Sequence, residues 1–92
     1  MKIFQTSSGF SAEINDKATE DWRLYDAVSD TQSENAGKRL LGVRQICILM
    51  LGQSGYDALK KHIAAPDGSI SVQDMEREIL EIFGALGESS KN

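Results

Sequence analysis

Residues 33–52, SENAGKRLLGVRQICILMLG, decide the fold. The stretch opens with Ser33, a residue type that caps helix N-termini, and closes with Gly52, which is typical of helix C-termini. Six contiguous apolar residues at 46–51 also fit a buried strand, but the length of the stretch favours a helix that becomes apolar on all sides. The spacing of Leu40, Val43 and Cys47, which is three and four residues, supports the helix. Such a helix needs cover from the rest of the chain or from a partner subunit.

The composition describes a small acidic chain. Its 92 residues carry 10 Lys or Arg against 14 Asp or Glu, a formal charge of -4. One cysteine cannot close an internal disulfide, and one histidine cannot supply a His-rich zinc site. No segment approaches the roughly 20 apolar residues of a membrane span, and the first residues lack the apolar core of a signal peptide. We therefore expect a cytoplasmic protein with no cofactor and no metal.

The patterning predicts a mainly α fold, a four-helix compact domain with a short N-terminal β-hairpin or strand. Residues 1–92 form a single domain in this interpretation, with a β arm or hairpin at 1–15, a helical core at 16–87 and a flexible tail at 88–92. Period-two alternation of Phe10, Ala12 and Ile14 after a small polar turn indicates the β structure. A lone hairpin is marginal in water, so it must lie on the helices or pair with another chain.

The first predicted helix runs from a cap at Asp16 to about Ser29. Its apolar face is formed by four residues at spacings of four, three and three: Ala18, Trp22, Tyr25 and Val28. Aromatic residues at helical spacing usually pack in a core, so we interpret Trp22 and Tyr25 as core anchors.

Two further helices complete the predicted set. Ser54 opens the third, with Tyr56, Leu59 and Ile63 inward and Lys60, Lys61 and His62 outward. Residues 66–68, Pro-Asp-Gly, form a turn, and Ser71 caps the last helix. The apolar seam of that helix follows at spacings of three and four: Val72, Met75, Ile79, Ile82 and Leu86.

No catalytic or ligand site emerges from the chemistry-bearing residues. Cys47 lies within the apolar run, where burial raises a thiol pKa, and His62 is expected to face water. Glu76, Glu78 and Glu81 are interpreted as a solvated helix face. The Asp67-Gly68 segment lacks the oxygen ligands of a calcium loop, and no phosphate-binding glycine loop is present. We therefore predict that the chain is not an enzyme.

Charge alternates along the chain in three blocks. Residues 1–32 hold 3 basic and 6 acidic side chains, residues 33–65 hold 5 and 2, and residues 66–92 hold 2 and 6. A basic middle segment could bind phosphates, which gives an alternative function as a small helical regulatory module binding nucleic acid. Its acidic flanks disfavour this, and pairing within or between subunits explains the alternation more simply.

Short motifs over residues 4–92 resemble the small tail assembly chaperones of long-tailed phages and prophages of Gram-positive bacteria. The motifs are Gly9-Phe10, Asp21-Trp22, Leu49-Met50-Leu51-Gly52 leading into Tyr56, Leu59 and His62, then Asp67-Gly68, Ser71-Val72, Met75, Glu78-Ile79 and Ile82-Phe83-Gly84-Ala85-Leu86. The chain departs from the commonly acidic pattern of that family by its basic middle: Lys38, Arg39, Arg44, Lys60 and Lys61.

The resemblance implies a mainly helical oligomer in the bacterial cytoplasm that keeps the tape measure protein soluble and recruits the tail tube protein. It also implies a longer product made by a ribosomal frameshift, for which Ser90-Lys91-Asn92 is a suggestive site. An amphipathic client helix would need an apolar groove. The partner-binding candidates are Ile79, Ile82, Phe83 and Leu86, although core packing is the simpler role for most of them.

Overall fold

Three helices follow a short antiparallel hairpin in the part of the chain that the structure describes. The computed structural model covers residues 2–90, with side chains described as far as residue 86. The elements, in chain order, are β1 (Lys2–Gln5), β2 (Ser11–Ile14), a 3-10 turn (Ala18–Glu20), α1 (Trp22–Asp30), α2 (Ala36–Ile63) and α3 (Val72–Ser90). None of these three helices has the length and apolarity needed to cross a membrane. The predicted mainly helical fold is confirmed, but the predicted number of four helices is wrong.

The alternating pattern predicted either a β-hairpin or a single strand, and the structure has the hairpin. Strands β1 and β2 pair antiparallel, with Lys2 opposite Ile14 at the open end. The N–H of Thr6 donates a 2.8 Å hydrogen bond to the Phe10 carbonyl across the turn. Phe10 and Ile14 are buried, so the hairpin lies on the helices by the apolar side that the pattern predicted.

The predicted second and third helices are one element, α2, which is kinked at Gly52. This glycine has φ 77° and ψ 169°, a conformation that side-chain-bearing residues avoid. Helical structure resumes directly after it rather than at a separate cap on Ser54. The kink interrupts the hydrogen-bond ladder, and Asn15 donates to the nearby Met50 carbonyl at 2.8 Å. The glycine therefore marks the break at the predicted position, but the helix continues beyond it.

Two helix caps differ from the prediction. α1 is capped by Asp21, whose carboxylate accepts the Arg23 N–H at 2.9 Å, and not by Asp16. α2 is capped by Asn35, which accepts the Lys38 N–H at 3.0 Å, and not by Ser33. All four residues are of types that cap helices well, so sequence alone does not rank them.

Trp22 and Tyr25 are exposed, which contradicts their predicted role as core anchors. The inward face of α1 is formed by Leu24 and Ala27. The helix begins at Trp22 rather than near Lys17, because Ala18 lies in the preceding 3-10 turn. Trp22, Tyr25 and Val28 lie in α1 but Ala18 does not, so the four-residue stripe does not form one helical face.

α1 packs closely on the first half of α2 through Gly42. A Cβ atom at this position would lie 2.7 Å from the Ala27 carbonyl oxygen and 2.9 Å from the Asp30 Cβ. Only a glycine permits that approach, because both distances are well inside van der Waals contact. The two helix backbones thus meet at this point.

The core lies where α2, α3, α1 and the hairpin converge. α2 contributes a buried apolar run, and α3 contributes the seam predicted from its spacing, so the buried set is Phe10, Ile14, Ala18, Leu24, Ala27, Ile46, Cys47, Met50, Leu59, Ile79, Ile82, Ala85 and Leu86. The turn at 66–68 and the Ser71 cap are confirmed, the latter by a 3.2 Å bond from the Asp74 N–H to the Ser71 hydroxyl. Val72 departs from the seam and is exposed.

α3 extends to Ser90, into the tail that was predicted at residues 88–92. The backbone is therefore helical over the first three residues of that segment. Residues 91–92, with most of the suggestive frameshift site, lie outside the described part of the chain.

Candidate functional site

An apolar recess of about 570 Å³ lies between the first half of α2 and the start of α3. Leu41 is 64% exposed on the α2 side and Val72 is 52% exposed on the α3 side. We call this recess the α2–α3 groove, and its lining residues are Gly37, Leu40, Leu41, Val43, Arg44, Tyr56, Lys60, Ile70, Val72, Met75, Glu76 and Ile79. The chain leaves these large apolar side chains in water although its core is small, so the groove is the candidate binding site.

Tyr56 forms the aromatic wall of the groove between two cations. The guanidinium carbon of Arg44 lies 5.4 Å from the ring centroid, and the ammonium of Lys60 lies 4.6 Å from it. Both distances are within cation–π range. The carboxylate of Glu76 lines the same groove. An occupant of this groove would meet an apolar floor with a predominantly basic wall.

A second recess of about 300 Å³ continues the apolar surface along α3. It shares three lining residues with the α2–α3 groove: Val43, Glu76 and Ile79. Leu80, which is 62% exposed, and Phe83 extend it away from the groove. The apolar surface therefore extends over about three turns of α3, from Val72 to Phe83, the distance that a short docked helix would contact.

The predicted partner-binding residues occupy two different environments. Ile82 and Leu86 are 1% and 2% exposed and pack in the core. Ile79 is also buried but forms part of the groove floor, and half-buried Phe83 lines the second recess. Core packing is thus established for three of the four, and client contact stays a prediction for Ile79 and Phe83.

The sequence reasoning missed most of the groove. The pattern predicted Leu40 in a buried helix and Val72 in the α3 seam, yet both lie at the edges of the groove. Leu41 and Ile70, which had no predicted role, lie there too. One sequence signal did point to the groove. The first half of α2 is apolar on more sides than its three neighbouring elements can cover. Which side stays exposed depends on where α1 and α3 pack, and this tertiary packing is not visible in the sequence.

A buried carboxylate joins the hairpin turn to α3. Glu78 is completely buried, and its Oε1 accepts hydrogen bonds from the hydroxyls of Thr6 at 2.6 Å and Ser8 at 2.8 Å. This contradicts its predicted place on a solvated face. Glu78 follows Met75 by three residues and precedes Ile82 by four, so it lies within the inward stripe of α3. The hairpin turn then covers it from above.

His62 reaches this cluster but does not form a catalytic triad with it. Its Nε2 lies 3.1 Å from the Ser8 hydroxyl, while Glu78 contacts Ser8 and not the imidazole. A triad needs the histidine between the nucleophile and the carboxylate, so that the acid orients the base. Ser8 instead donates directly to the carboxylate. His62 is exposed, as predicted, and its ring centroid lies 5.4 Å from that of Phe10.

The polar contacts continue on the surface beside this cluster. The Ser7 N–H donates to Glu81 at 2.7 Å, and the Ser7 hydroxyl donates to the second carboxylate oxygen at 3.1 Å. The second oxygen of Glu78 accepts no hydrogen bond within the described residues, and its nearest cation is the Arg77 guanidinium at 3.8 Å. The arrangement anchors the turn to α3.

Cys47 is a structural residue. It is fully buried in the core, and this burial raises the pKa of its thiol to about 12. The thiolate is the nucleophile in cysteine chemistry, so the side chain is inert near neutral pH. The predicted buried position is confirmed.

The described part of the chain contains no cluster of candidate metal ligands. No group of three or more His, Cys, Asp or Glu side chains within residues 2–86 is arranged to hold an ion. The Asp67 carboxylate accepts from the Ser69 N–H at 2.9 Å and from its hydroxyl at 2.7 Å. These bonds lower the pKa of Asp67 and direct its oxygens into the turn.

The α2–α3 groove thus remains the strongest candidate site in this structure. Comparison with known proteins leaves its occupant open: no protein-family model, curated protein or solved structure matches this chain.

Proposed function

We propose that this chain is a non-enzymatic binding module that holds a helical segment of a client protein in the α2–α3 groove. The observation that carries the proposal is the exposure of Leu41 and Val72 along the two sides of one apolar recess. A small domain normally uses such side chains in its core, because its core is barely sufficient for folding. Their exposure along a single recess is typical of an interaction surface.

The groove suits an amphipathic helix. Such a helix presents apolar anchors at every third or fourth position, and an apolar cleft between two helices receives them. The second recess, with Leu80 and Phe83, would take the next anchor along the client. The Arg44 and Lys60 side chains favour a client helix with acidic flanking residues.

The resemblance to tail assembly chaperones suggests that the client is a tape measure protein. A tape measure protein is a long helical chain whose apolar stripes need cover before the tail is built, and the tail tube protein would be recruited in the same assembly. The proposed role is therefore a phage tail assembly chaperone that keeps the tape measure protein soluble.

The role predicts that a tape measure protein is encoded in the same genome, and co-expression of the two proteins tests it. We expect the wild-type chain to keep the client in the soluble fraction and to co-purify with it. Leu41→Glu places a charge in the groove and should abolish both effects. The matched control is Ile3→Glu, because Ile3 is an exposed apolar residue on β1, 69% exposed against 64% for Leu41. A client that stays insoluble with the wild-type chain, or that binds the Leu41→Glu variant equally well, contradicts the proposal.

A nucleic-acid-binding module is the second candidate. The observation in its favour is that one element, α2, carries all five cations of the middle segment: Lys38, Arg39, Arg44, Lys60 and Lys61. Acidic partners weaken the case, since Lys38 lies 3.8 Å from Asp30 and Lys60 lies 3.5 Å from Asp57. Phosphate binding predicts a gel shift that is lost as salt rises. No shift at low salt with either DNA or RNA would remove this candidate.

A further inference from the structure

Two aromatic side chains stand exposed at the start of α1. Trp22 is 74% exposed and Tyr25 is 47% exposed, and their ring centroids lie 5.6 Å apart at a tilt of 42°. The Tyr25 hydroxyl donates a 2.6 Å hydrogen bond to the Thr19 carbonyl, which fixes the orientation of the ring. We call these two residues the aromatic pair. Pre-oriented Trp and Tyr side chains contribute much of the binding energy at protein interfaces.

The surroundings of the aromatic pair are acidic. Asp26 follows Trp22 by four residues and shares its face of α1, while Glu20 precedes it in the 3-10 turn, and both are exposed. The neighbouring cation, Arg23, is bound by Asp21 at 2.7 Å, and these hydrogen bonds lower the pKa of Asp21. The charge of Arg23 is thus compensated locally. The pair presents an apolar surface with negative flanks.

The α2–α3 groove has the complementary properties. Its floor is apolar, and Arg44 and Lys60 bracket its aromatic wall at Tyr56. Lys60 also lies 3.5 Å from Asp57, and Glu76 lines the groove. Arg44 therefore supplies most of the uncompensated positive charge of the groove. Arg39 lines the adjoining recess. An apolar surface with acidic flanks complements an apolar cleft with basic walls. Docking would bury apolar surface on both sides and bring opposite charges together.

We propose that the aromatic pair of one copy of this chain docks in the α2–α3 groove of a second copy. Trp22 and Tyr25 do not line the groove of their own chain, so each copy offers two separate and complementary surfaces. The proposed arrangement is head-to-tail and links copies into a chain or a ring; a reciprocal, two-fold use of the same two surfaces would instead stop at a dimer. This inference goes beyond the proposed client binding, because it needs no client.

The size of the contact sets its strength. A Trp and a Tyr together bury at most about 300–500 Å² of their own surface, and part of Tyr25 is already covered. The total buried area therefore falls below the roughly 1,200 Å² at which stable complexes begin. We expect weak, reversible association in the micromolar to millimolar range, weakened further by salt because its charges are exposed.

Mixing two defective variants tests the head-to-tail geometry. Trp22→Ala with Tyr25→Ala removes the aromatic pair and leaves the groove, whereas Leu41→Glu blocks the groove and leaves the pair. In sedimentation velocity over about 10 µM to 1 mM, a range set by the expected weak affinity, wild-type mass should rise with concentration beyond a dimer. Each variant alone should stay monomeric, and their equimolar mixture should form a dimer that grows no further. Ile3→Glu should assemble like the wild type.

Three outcomes would overturn the inference: assembly of the aromatic variant at wild-type strength, a monomeric mixture, or a wild-type chain that stops at a dimer. Circular dichroism confirms that each variant is folded, and Val72→Glu provides a second groove variant. The aromatic variant also separates the two proposals, since it retains the groove. If it solubilises the client while the mixture stays monomeric, client binding stands and self-docking fails; the reverse result supports self-docking alone.

Discussion

The Thr6 hydroxyl donates a 2.6 Å hydrogen bond to Oε1 of Glu78, across 72 positions of the chain. Both side chains are buried, so the bond is shielded from water. The Ser8 hydroxyl donates to the same oxygen, so loss of the Thr6 donor leaves the buried carboxylate only partly satisfied, at a cost within the range of about 1–3 kcal/mol for an unpaired buried group. The bond therefore ties the hairpin turn to α3 more firmly than the exposed contact between Ser7 and Glu81.

A double-mutant cycle measures this tie. Thr6→Val and Glu78→Met each remove one partner and should lower the free energy of unfolding by about 1–3 kcal/mol. The double variant should cost less than the sum by about 1 kcal/mol or more, because neither partner is then left unsatisfied. Urea denaturation gives all four values. Ser7→Ala is the exposed control and should cost about 0.5 kcal/mol or less. Strict additivity would show that the bond contributes nothing.

Gly42→Ala should destabilise the fold, although alanine is the better helix former. The new Cβ would lie 2.7 Å from the Ala27 carbonyl oxygen, so α1 must move away from α2 at a cost of about 1–3 kcal/mol. Gly84→Ala is the matched control on α3, since a Cβ there meets nothing within 4 Å. It should stabilise by about 0.5–1 kcal/mol, the helix propensity gain alone. Thermal melts of the two variants should therefore shift in opposite directions.

Cys47 should resist thiol reagents while the protein is folded. Burial raises its pKa to about 12, so the thiolate is scarce at pH 8, whereas the unfolded thiol titrates near pH 8.5. We expect labelling by a disulfide reagent only after denaturation. Fast labelling of the native chain would contradict the buried position.

The Cys47 thiol also makes the free energy of unfolding depend on pH in the alkaline range. The folded state holds the proton more tightly than the unfolded state, so its contribution is complete below about pH 8.5 and is lost as the pH rises toward 12. The free energy of unfolding should therefore fall over this window. The fall should be smaller in Cys47→Ala, which lacks the titrating group. Equal slopes for the two proteins would show that the thiol is not protected by the fold.

Neighbouring residues of α3 should differ sharply on truncation. Ile82 is 1% exposed and Leu80 is 62% exposed. Ile82→Ala should cost about 2–5 kcal/mol through lost burial and the cavity left behind, whereas Leu80→Ala should change stability by about 0.5 kcal/mol or less. Chemical denaturation measures both. A client that binds through the second recess would reverse the ranking for affinity, because only Leu80 is accessible to it.

Local sequence signals predicted the local features of this fold. The Ser71 cap, the turn at 66–68 and the hairpin each depend on residues within a few positions of one another, and all three are present. The burial of Cys47 followed from an apolar run that no surface helix tolerates. The break at Gly52 was also visible, because its signal is a single residue.

The features that failed depend on distant parts of the chain. Trp22 is exposed because α1 starts late and its inward face is set by the close approach of Gly42 to Ala27. Glu78 is buried because the hairpin turn folds over it. The α2–α3 groove is what remains uncovered after α1, α3 and the hairpin have packed. Periodicity within one helix does not encode any of these placements.

The contact between the hairpin turn and α3 also orders events during synthesis. Residues 2–14 leave the ribosome before α3, but a lone two-stranded hairpin is marginal in water. Its stabilising partners, Glu78 and Glu81, are added only after more than sixty further residues. At about 5–20 residues per second, the β structure waits several seconds for its support. The hairpin is therefore made well before α3 but becomes stable only with it, and the growing chain exposes its apolar segments until α3 arrives.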